Sequence, residues 1–302
     1  MTSPFKQGLD KVCKGRVRFN EPLSRHTSFG IGGPCDAFIY PADLEDLQKV
    51  LALCKEQEVP VFVIGNGTNL LVGDGGIRGA VLKLSQACFQ IESSGELVSV
   101  GAGVGLARFL WWCARQGLGG MEFASGIPGS VGGAIRGNAG TLKGEISDRV
   151  MQVEGIDLES GESLCLNGDK VGFAYRKTDL PSSFIITKAT FQLYRDSLEN
   201  VKLRMDEYFL IRKRSQPLDE RSAGCIFRNP EGSSAGQLID EAGCKGMSRG
   251  GAVVSSLHAN FIINRGGATA SDVLMLIKDV KKRVRDRTGV NLELEIEVIG
   301  EF

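Results

Sequence analysis

The sequence predicts an α+β protein built from two or three modules. Three observations carry this: a strand-helix-strand unit near the start, a change to short alternating or fully apolar runs between residues 150 and 194, and a closing third in which helices lead to an alternating strand. A length of 302 residues exceeds one ordinary core, so modules of about 100 to 150 residues each are expected. With 42% hydrophobic and 24% charged residues, the chain has the material for those cores and no signature of disorder.

Taken in order, "DAFIYPADLEDLQKVLALCKEQEVPVFVIGNG" reads as a strand, a helix and a second strand ending in glycine. Leu44, Leu47, Val50, Leu51 and Cys54 recur at helical spacing, and Asp43 stands at the N-cap position. "AVLKL" reads as a further strand, and "LVSVGAGV" followed by the amphipathic "LARFLWWCARQGL" repeats the strand-then-helix rhythm. Further on, "VMQVEGIDL", "ESLCL" and "SFIITKATFQLY" are separated by Gly, Asn and Pro, which predicts antiparallel strands. The charged helix "LENVKLRMDEYFLIRKRSQP" stops at Pro217 and marks a junction between modules. Beyond it, "SSAGQLIDEAG" predicts a short helix ended by Gly243, and "ANFIIN" a strand. "SDVLMLIKDVKKRVRDRTG" predicts a long helix with Ser271 as N-cap, Val273, Ile277, Val280 and Val284 as its apolar stripe, and Gly289 as its stop. In "LELEIEVIG", Leu292, Leu294, Ile296 and Val298 alternate with Glu293, Glu295 and Glu297, which predicts one closing strand.

Lys plus Arg and Asp plus Glu both number 36, without long runs of one sign, so no nucleic-acid or acidic-membrane footprint is present. The expected partner is a small molecule. The N-terminal stretch has no apolar run of the signal-peptide kind, and 18 consecutive apolar residues occur nowhere, so a cytoplasmic protein is expected. The eight cysteines form no C-x-x-C pair and are expected as reduced thiols, and with only His26 and His258 no zinc site is expected.

Forty glycines are nearly twice the usual share of about 7%, and they cluster. In "VFVIGNGTNLLVGDGGIRGAVLKL" a strand runs into a loop containing Asn66, Thr68 and Asn69. Two readings stay open there: a pair of β-turns, or a nest of backbone N–H groups for phosphate oxygens. In "ASGIPGSVGGAIRGNAG" the glycines alternate with Ile127, Val131, Ala134 and Ile135, which is no flexible linker. It suits backbone pressed against something flat, either a flavin ring or a packed helix. Neither loop is a Rossmann G-x-G-x-x-G, and no P-loop motif occurs.

Together with "RHTSFGIGGPCDAFIYP", "YRKTDL", "SAGCIFRNP", "AGQLIDEAGCKG", "HANFIIN" and "EIEVIG", these stretches resemble the UDP-N-acetylenolpyruvoylglucosamine reductase (MurB) family over nearly the whole chain. The resemblance implies an FAD-binding region of the vanillyl-alcohol-oxidase (PCMH) type in two parts, residues 1–85 and 86–198, and an α/β UDP-sugar-binding domain, residues 199–302. It implies NADPH-dependent reduction of UDP-N-acetyl-3-O-(1-carboxyvinyl)-glucosamine to UDP-N-acetylmuramate in peptidoglycan synthesis. Gly65, Asn66, Gly67, Thr68, Asn69 and Leu70 match the FAD pyrophosphate cradle, while Gly126, Ile127, Pro128, Gly129, Ser130, Gly132, Gly133 and Asn138 match the flavin side. Arg176 and Glu295 match the family's active-site arginine and glutamate, and Cys225 takes the place of its proton-donating serine. Asn229 falls in the substrate-binding turn, and Lys213 and Arg214 are candidate contacts to the UDP diphosphate. Only a short connection separates Tyr194 from the helix near Leu198, as in the shorter members that lack a tyrosine-bearing loop. A related flavin oxidoreductase with another substrate, and a nucleotide-sugar binder without turnover, are the alternatives.

The chemistry explains the residue types. Reduction of an enolpyruvyl ether needs a hydride at the terminal carbon, which no side chain supplies, and a proton at the carbon beside the carboxylate. Charge pushed into that carboxylate calls for a fixed cation such as Arg176. The proton must come from an acid still protonated at neutral pH, and a thiol of ordinary pKa is about 97% protonated at pH 7. Spacing does not separate Glu295 from Glu293 and Glu297; the motif match does.

Overall fold

The computed structural model describes residues 3–302. In chain order its helices are α1 (Ser3–Val12), α2 (Leu44–Glu56), α3 (Leu106–Arg115), α4 (Val131–Arg136), α5 (Leu198–Ser215), α6 (Ala235–Glu241) and α7 (Ala270–Thr288). The strands of the first third are β1 (Arg16–Pro22), β2 (Pro34–Tyr40), β3 (Val61–Val63), β4 (Leu70–Val72), β5 (Ile77–Leu82), β6 (Ile91–Ser94) and β7 (Leu97–Gly101). Three two-residue strands follow, β8 (Leu118–Gly119), β9 (Gly140–Thr141) and β10 (Gly144–Glu145), then β11 (Val150–Asp157), β12 (Ser163–Asn167), β13 (Phe184–Gln192) and β14 (Tyr194–Arg195). The last are β15 (Ser222–Cys225), β16 (Ser248–Arg249), β17 (Ala252–Val254), β18 (Phe261–Asn264) and β19 (Glu297–Ile299).

Contacts divide the chain into two compact units. The first holds the N-terminal segment through Phe19, Asp36–Asn66 and Gly79–Leu210; the second holds Asn20–Cys35, Gly67–Arg78 and Ile211–Phe302. This differs from three consecutive segments split at 85/86 and 198/199. Leu47 and Val50 of α2, Phe109 of α3 and Phe191 of β13 belong to one buried cluster in the first unit. Phe29, Ile31 and Leu71 join Ile226, Val273, Ile277 and Val280 in the core of the second. Apolar burial is non-directional and recruits chain by surface, so short early segments serve a late core.

In the first unit, β11, β12, β13, β7 and β6 form an antiparallel sheet in the order β12-β11-β13-β7-β6, as the alternation between 150 and 194 predicts. A second sheet, β1-β2-β5-β3, contains the early strand-helix-strand unit, with β3 parallel to β5. Leu47, Val50, Leu51 and Cys54 are the buried face of α2, and the Asp43 carboxylate accepts from the Asp46 amide at 2.8 Å, capping its N-terminus. The Phe109 and Phe191 rings meet with centroids 5.1 Å apart.

In the second unit, β15-β18-β17-β16 forms an antiparallel sheet, and β19 pairs with β4 in parallel. Helix α7 buries Val273, Ile277, Val280 and Val284 as predicted and stops at Gly289, whose φ of 76° is the left-handed conformation glycine tolerates best. Its N-cap is Thr269 rather than Ser271: the Thr269 hydroxyl accepts from the Asp272 amide at 3.0 Å in a capping box. Ser271 lies inside the first turn, where its hydroxyl donates to the Asp74 carboxylate at 2.9 Å. The closing segment is not one strand. Its first half pairs with residues after Cys225, with the Arg228 amide donating to the Glu293 carbonyl and the Glu295 amide to the Ile226 carbonyl. It then bends at Ile296 and continues as β19 along β4, so one alternating sequence serves two partners.

Candidate functional site

Each unit carries its own share of the residues singled out from sequence. In the first unit, the amide N–H groups of Gly65 and Asn66 donate to no acceptor among the described residues, and neither do those of Gly126, Gly129 and Ser130. Such uncommitted donors in glycine loops fit the oxygens of a dinucleotide such as FAD. A Cβ added at Gly65 would stand 2.5 Å from the Ser130 hydroxyl, so a larger residue there would have to push that hydroxyl aside. Part of the second loop is helix: Val131, Gly132, Gly133, Ala134, Ile135 and Arg136 form α4, and Ser130 caps it by accepting from the Gly133 amide at 3.3 Å. Ile127 is half-buried and Pro128 exposed.

Asn138 does something else. It is fully buried, its Nδ2 donates to the Ala174 carbonyl at 3.1 Å, and its Oδ1 accepts from the Ser147 amide at 3.0 Å. Both functional ends of the side-chain amide are thus engaged with the protein's own backbone. Arg176 sits on the tight turn Ala174–Lys177, closed by paired backbone hydrogen bonds of 3.0 and 3.2 Å. Its φ of 58° is a left-handed conformation, which for a non-glycine costs on the order of 1–3 kcal/mol. The Arg176 Nη2 donates to the Gly140 carbonyl at 2.8 Å, and the guanidinium stands 5.2 Å from the Tyr175 ring centroid.

In the second unit, the amides of Gly67 and Asn69 also make no hydrogen bond among the described residues. The Asn69 side chain points elsewhere, its Nδ2 donating to the Glu295 carbonyl at 3.1 Å, while the Asn69 backbone carbonyl accepts from the Glu297 amide at 2.9 Å. Ser28 joins the same loop to the cysteine strand. Its hydroxyl donates to the Ser222 carbonyl at 2.6 Å and its amide to the Gly67 carbonyl at 3.0 Å. Leu70 begins β4. Thr68 is half-buried.

Cys225 ends β15, opposite Phe261 of β18, and is half-buried. Two residues on, Asn260 clamps the Phe227 backbone, its Oδ1 accepting from the amide at 2.9 Å and its Nδ2 donating to the carbonyl at 2.8 Å. Elsewhere in the protein, burial pushes the Cys54 and Cys88 thiols up to about 12 and raises that of Cys113 as well, so these are packing residues. Glu295 is half-buried whereas Glu293 and Glu297 are exposed, so tertiary structure separates three glutamates that spacing leaves equivalent. Asn229 is exposed and its Oδ1 accepts from the Ala235 amide at the start of α6, 3.0 Å away. Lys213 and Arg214 are exposed in the last turn of α5.

Arg228 was missed in the sequence although it lies inside "SAGCIFRNP". Its Nε is buried without a hydrogen-bond partner, a cost that a bound anion would relieve. The only available signal was its place three residues after Cys225, which does not report burial.

Comparison with known proteins places these features in a family. The profile described as the C-terminal domain of UDP-N-acetylenolpyruvoylglucosamine reductase matches residues 216–299, and that of an FAD binding domain matches residues 34–166. UDP-N-acetylenolpyruvoylglucosamine reductase of Desulfosudis oleivorans is 42% identical, covering 100% of both chains. That of Geobacter metallireducens is 44% identical over 97% of each. The crystal structure of the Thermus caldophilus enzyme superposes with a TM-score of 0.81 at 38% identity, covering 94% of this chain and 98% of that one.

Proposed function

The chain belongs to the UDP-N-acetylenolpyruvoylglucosamine reductase family, and from that premise we propose how its residues divide the work. The protein is an oxidoreductase that uses FAD to reduce UDP-N-acetyl-3-O-(1-carboxyvinyl)-glucosamine to UDP-N-acetylmuramate in peptidoglycan synthesis. The observation that carries this reading is full-length similarity to relatives named for that reaction.

FAD, when bound, would supply the hydride chemistry, with NADPH as the source of reducing equivalents. The uncommitted amides of Gly65, Asn66, Gly67 and Asn69 would hold the pyrophosphate, and those of Gly126, Gly129 and Ser130 would serve the flavin side. Hydride addition at the terminal carbon leaves an enolate-like charge on the carboxylate, which the Arg176 guanidinium stabilises. Cys225 Sγ–H gives its proton to the adjacent carbon, and Glu295 serves that protonation side. Arg228, Lys213 and Arg214 supply cationic groups for the diphosphate, and Asn229 supports the turn beside them. Among the described residues no helix is long and apolar enough to cross a membrane. Water-soluble anionic substrates fit a reaction in the cytoplasm.

Anaerobic stopped-flow of the purified protein tests the reading. We expect an absorbance band near about 450 nm that NADPH bleaches and the enolpyruvyl UDP-sugar restores. Colourless protein that takes up no FAD overturns it. Saturable UDP-sugar binding without recovery of the band indicates a binder instead.

A further inference from the structure

We propose that Asn138 is a positioning residue for Arg176, acting through the turn that carries it; this rests on the reading of Arg176 as the substrate's carboxylate partner. The three residues Asn138, Ala139 and Gly140 fix Arg176 twice. Asn138 Nδ2 holds the Ala174 carbonyl at the base of the turn, and the Gly140 carbonyl accepts from the Arg176 Nη2 at the end of its side chain. Backbone and guanidinium are thereby referenced to the same short stretch.

That stretch is itself rigidly held. Asn138 has a φ of 40°, its amide donates to the Ile135 carbonyl at 3.0 Å, and its Oδ1 is tied to the Ser147 amide. Thr178, on the far side of the turn, adds a third link by donating to the Arg136 carbonyl at 3.2 Å. Arg136 closes the set: its Nη1 donates to the Leu180 and Pro181 carbonyls, both at 2.9 Å, and its Nη2 to the Phe184 carbonyl.

The need for such a clamp follows from the turn. A two-residue turn with arginine in the left-handed region is strained, and strained conformations persist only where the surroundings over-determine them. The paired hydrogen bonds within the turn keep its shape but do not fix where it points. Asn138 is the buried side chain that does so, and asparagine suits the position because it tolerates positive φ while presenting both a donor and an acceptor.

The test uses FAD-loaded enzyme carrying Asn138→Gly, which keeps the backbone conformation but removes both side-chain bonds, and Asn138→Asp, which keeps the acceptor for Ser147 and removes the donor to Ala174. Thermal melting verifies folding, and Asn138→Asp carries the test if the glycine variant does not fold. Trypsin reads the turn directly, since Arg176 and Lys177 are both cleavage sites; we expect cleavage there to accelerate by about tenfold as the turn loosens. FAD content and the NADPH step stay at wild-type values, while restoration of the flavin band by the UDP-sugar slows by about tenfold. In an Arg176→Ala background the Asn138 substitution adds no further loss.

Additive losses in the double variant, unchanged trypsin sensitivity, or an equal loss in FAD binding or the NADPH step each overturn the inference. A wild-type rate in Arg176→Ala alone overturns the reading of Arg176 and the inference with it, so the two failures are distinguishable.

Discussion

Two buried asparagines, one in each unit, hold candidate site residues in different ways. Asn138, fully buried, ties the Arg176 turn to the glycine loop by one bond to Ala174. Asn260, only 3% exposed, makes two bonds to the Phe227 backbone, two residues beyond Cys225. The second clamp repeats what the ladder between β15 and β18 already specifies, since Cys225 pairs with Phe261 and Ile226 N–H donates to the Asn260 carbonyl. The first has no strand ladder behind it. Where backbone pairing sets a residue's place, loss of a side-chain clamp costs stability; where a lone turn carries the residue, the same loss costs aim.

The largest expected effect isolates the chemistry of the ladder-held residue. Cys225→Ala is expected to lower the substrate half-reaction by about 10²-fold or more, the scale of a missing general acid, while Cys225→Ser keeps activity because a hydroxyl can hold and deliver a proton. Full activity in the alanine variant would remove Cys225 from the mechanism. Next is the clamp itself. Asn260→Ala leaves two buried backbone groups of Phe227 without partners and is expected to cost about 2 kcal/mol in denaturant unfolding, with the rate per folded molecule within a few-fold of wild type. A larger rate loss than that of Asn138→Gly would erase the distinction drawn between the two asparagines.

The smallest effect concerns stability away from the chemistry. The Asp74 carboxylate accepts from the Ala270 and Ser271 amides, at 2.8 and 3.1 Å, at the start of α7. Partial burial raises its pKa, but these bonds outweigh it and hold the pKa below the usual aspartate value. A depressed carboxylate pKa stabilises fully above the unfolded value of about 3.9 and is lost as pH falls through the folded one. Asp74→Ala is therefore expected to cost about 1 kcal/mol at pH 7 and progressively less below about pH 4. A cost independent of pH would exclude the ionised cap as its source.

Much of the fold was legible because periodicity survives folding. The buried face of α2, the stripe and glycine stop of α7 and the antiparallel strands after residue 150 follow directly from apolar spacing and from Asp43 and Gly289. Less was legible at the site. Asn69 and Asn138 sit in glycine loops that match a cofactor-binding pattern, yet their side chains bind the protein's own backbone, at Glu295 and Ala174. A motif reports which residues share a loop, whereas the direction of a side chain depends on what lies opposite, and here the partners are 226 and 36 positions away.

The sequence by itself determined most of the longer helices and strands, the reaction class through its motifs, and which side chains have the chemistry to protonate or stabilise an enolate. These depend on local spacing and residue type, which the chain carries whether folded or not. Tertiary structure alone decided that segments 20–35 and 67–78 belong to the C-terminal core, that Glu295 rather than Glu293 or Glu297 is half-buried, that Arg228 keeps an unpartnered Nε, and that Arg176 rides on a turn clamped by Asn138. Burial and hydrogen-bond partnership are properties of pairs brought together from afar, so no local stretch of sequence contains them.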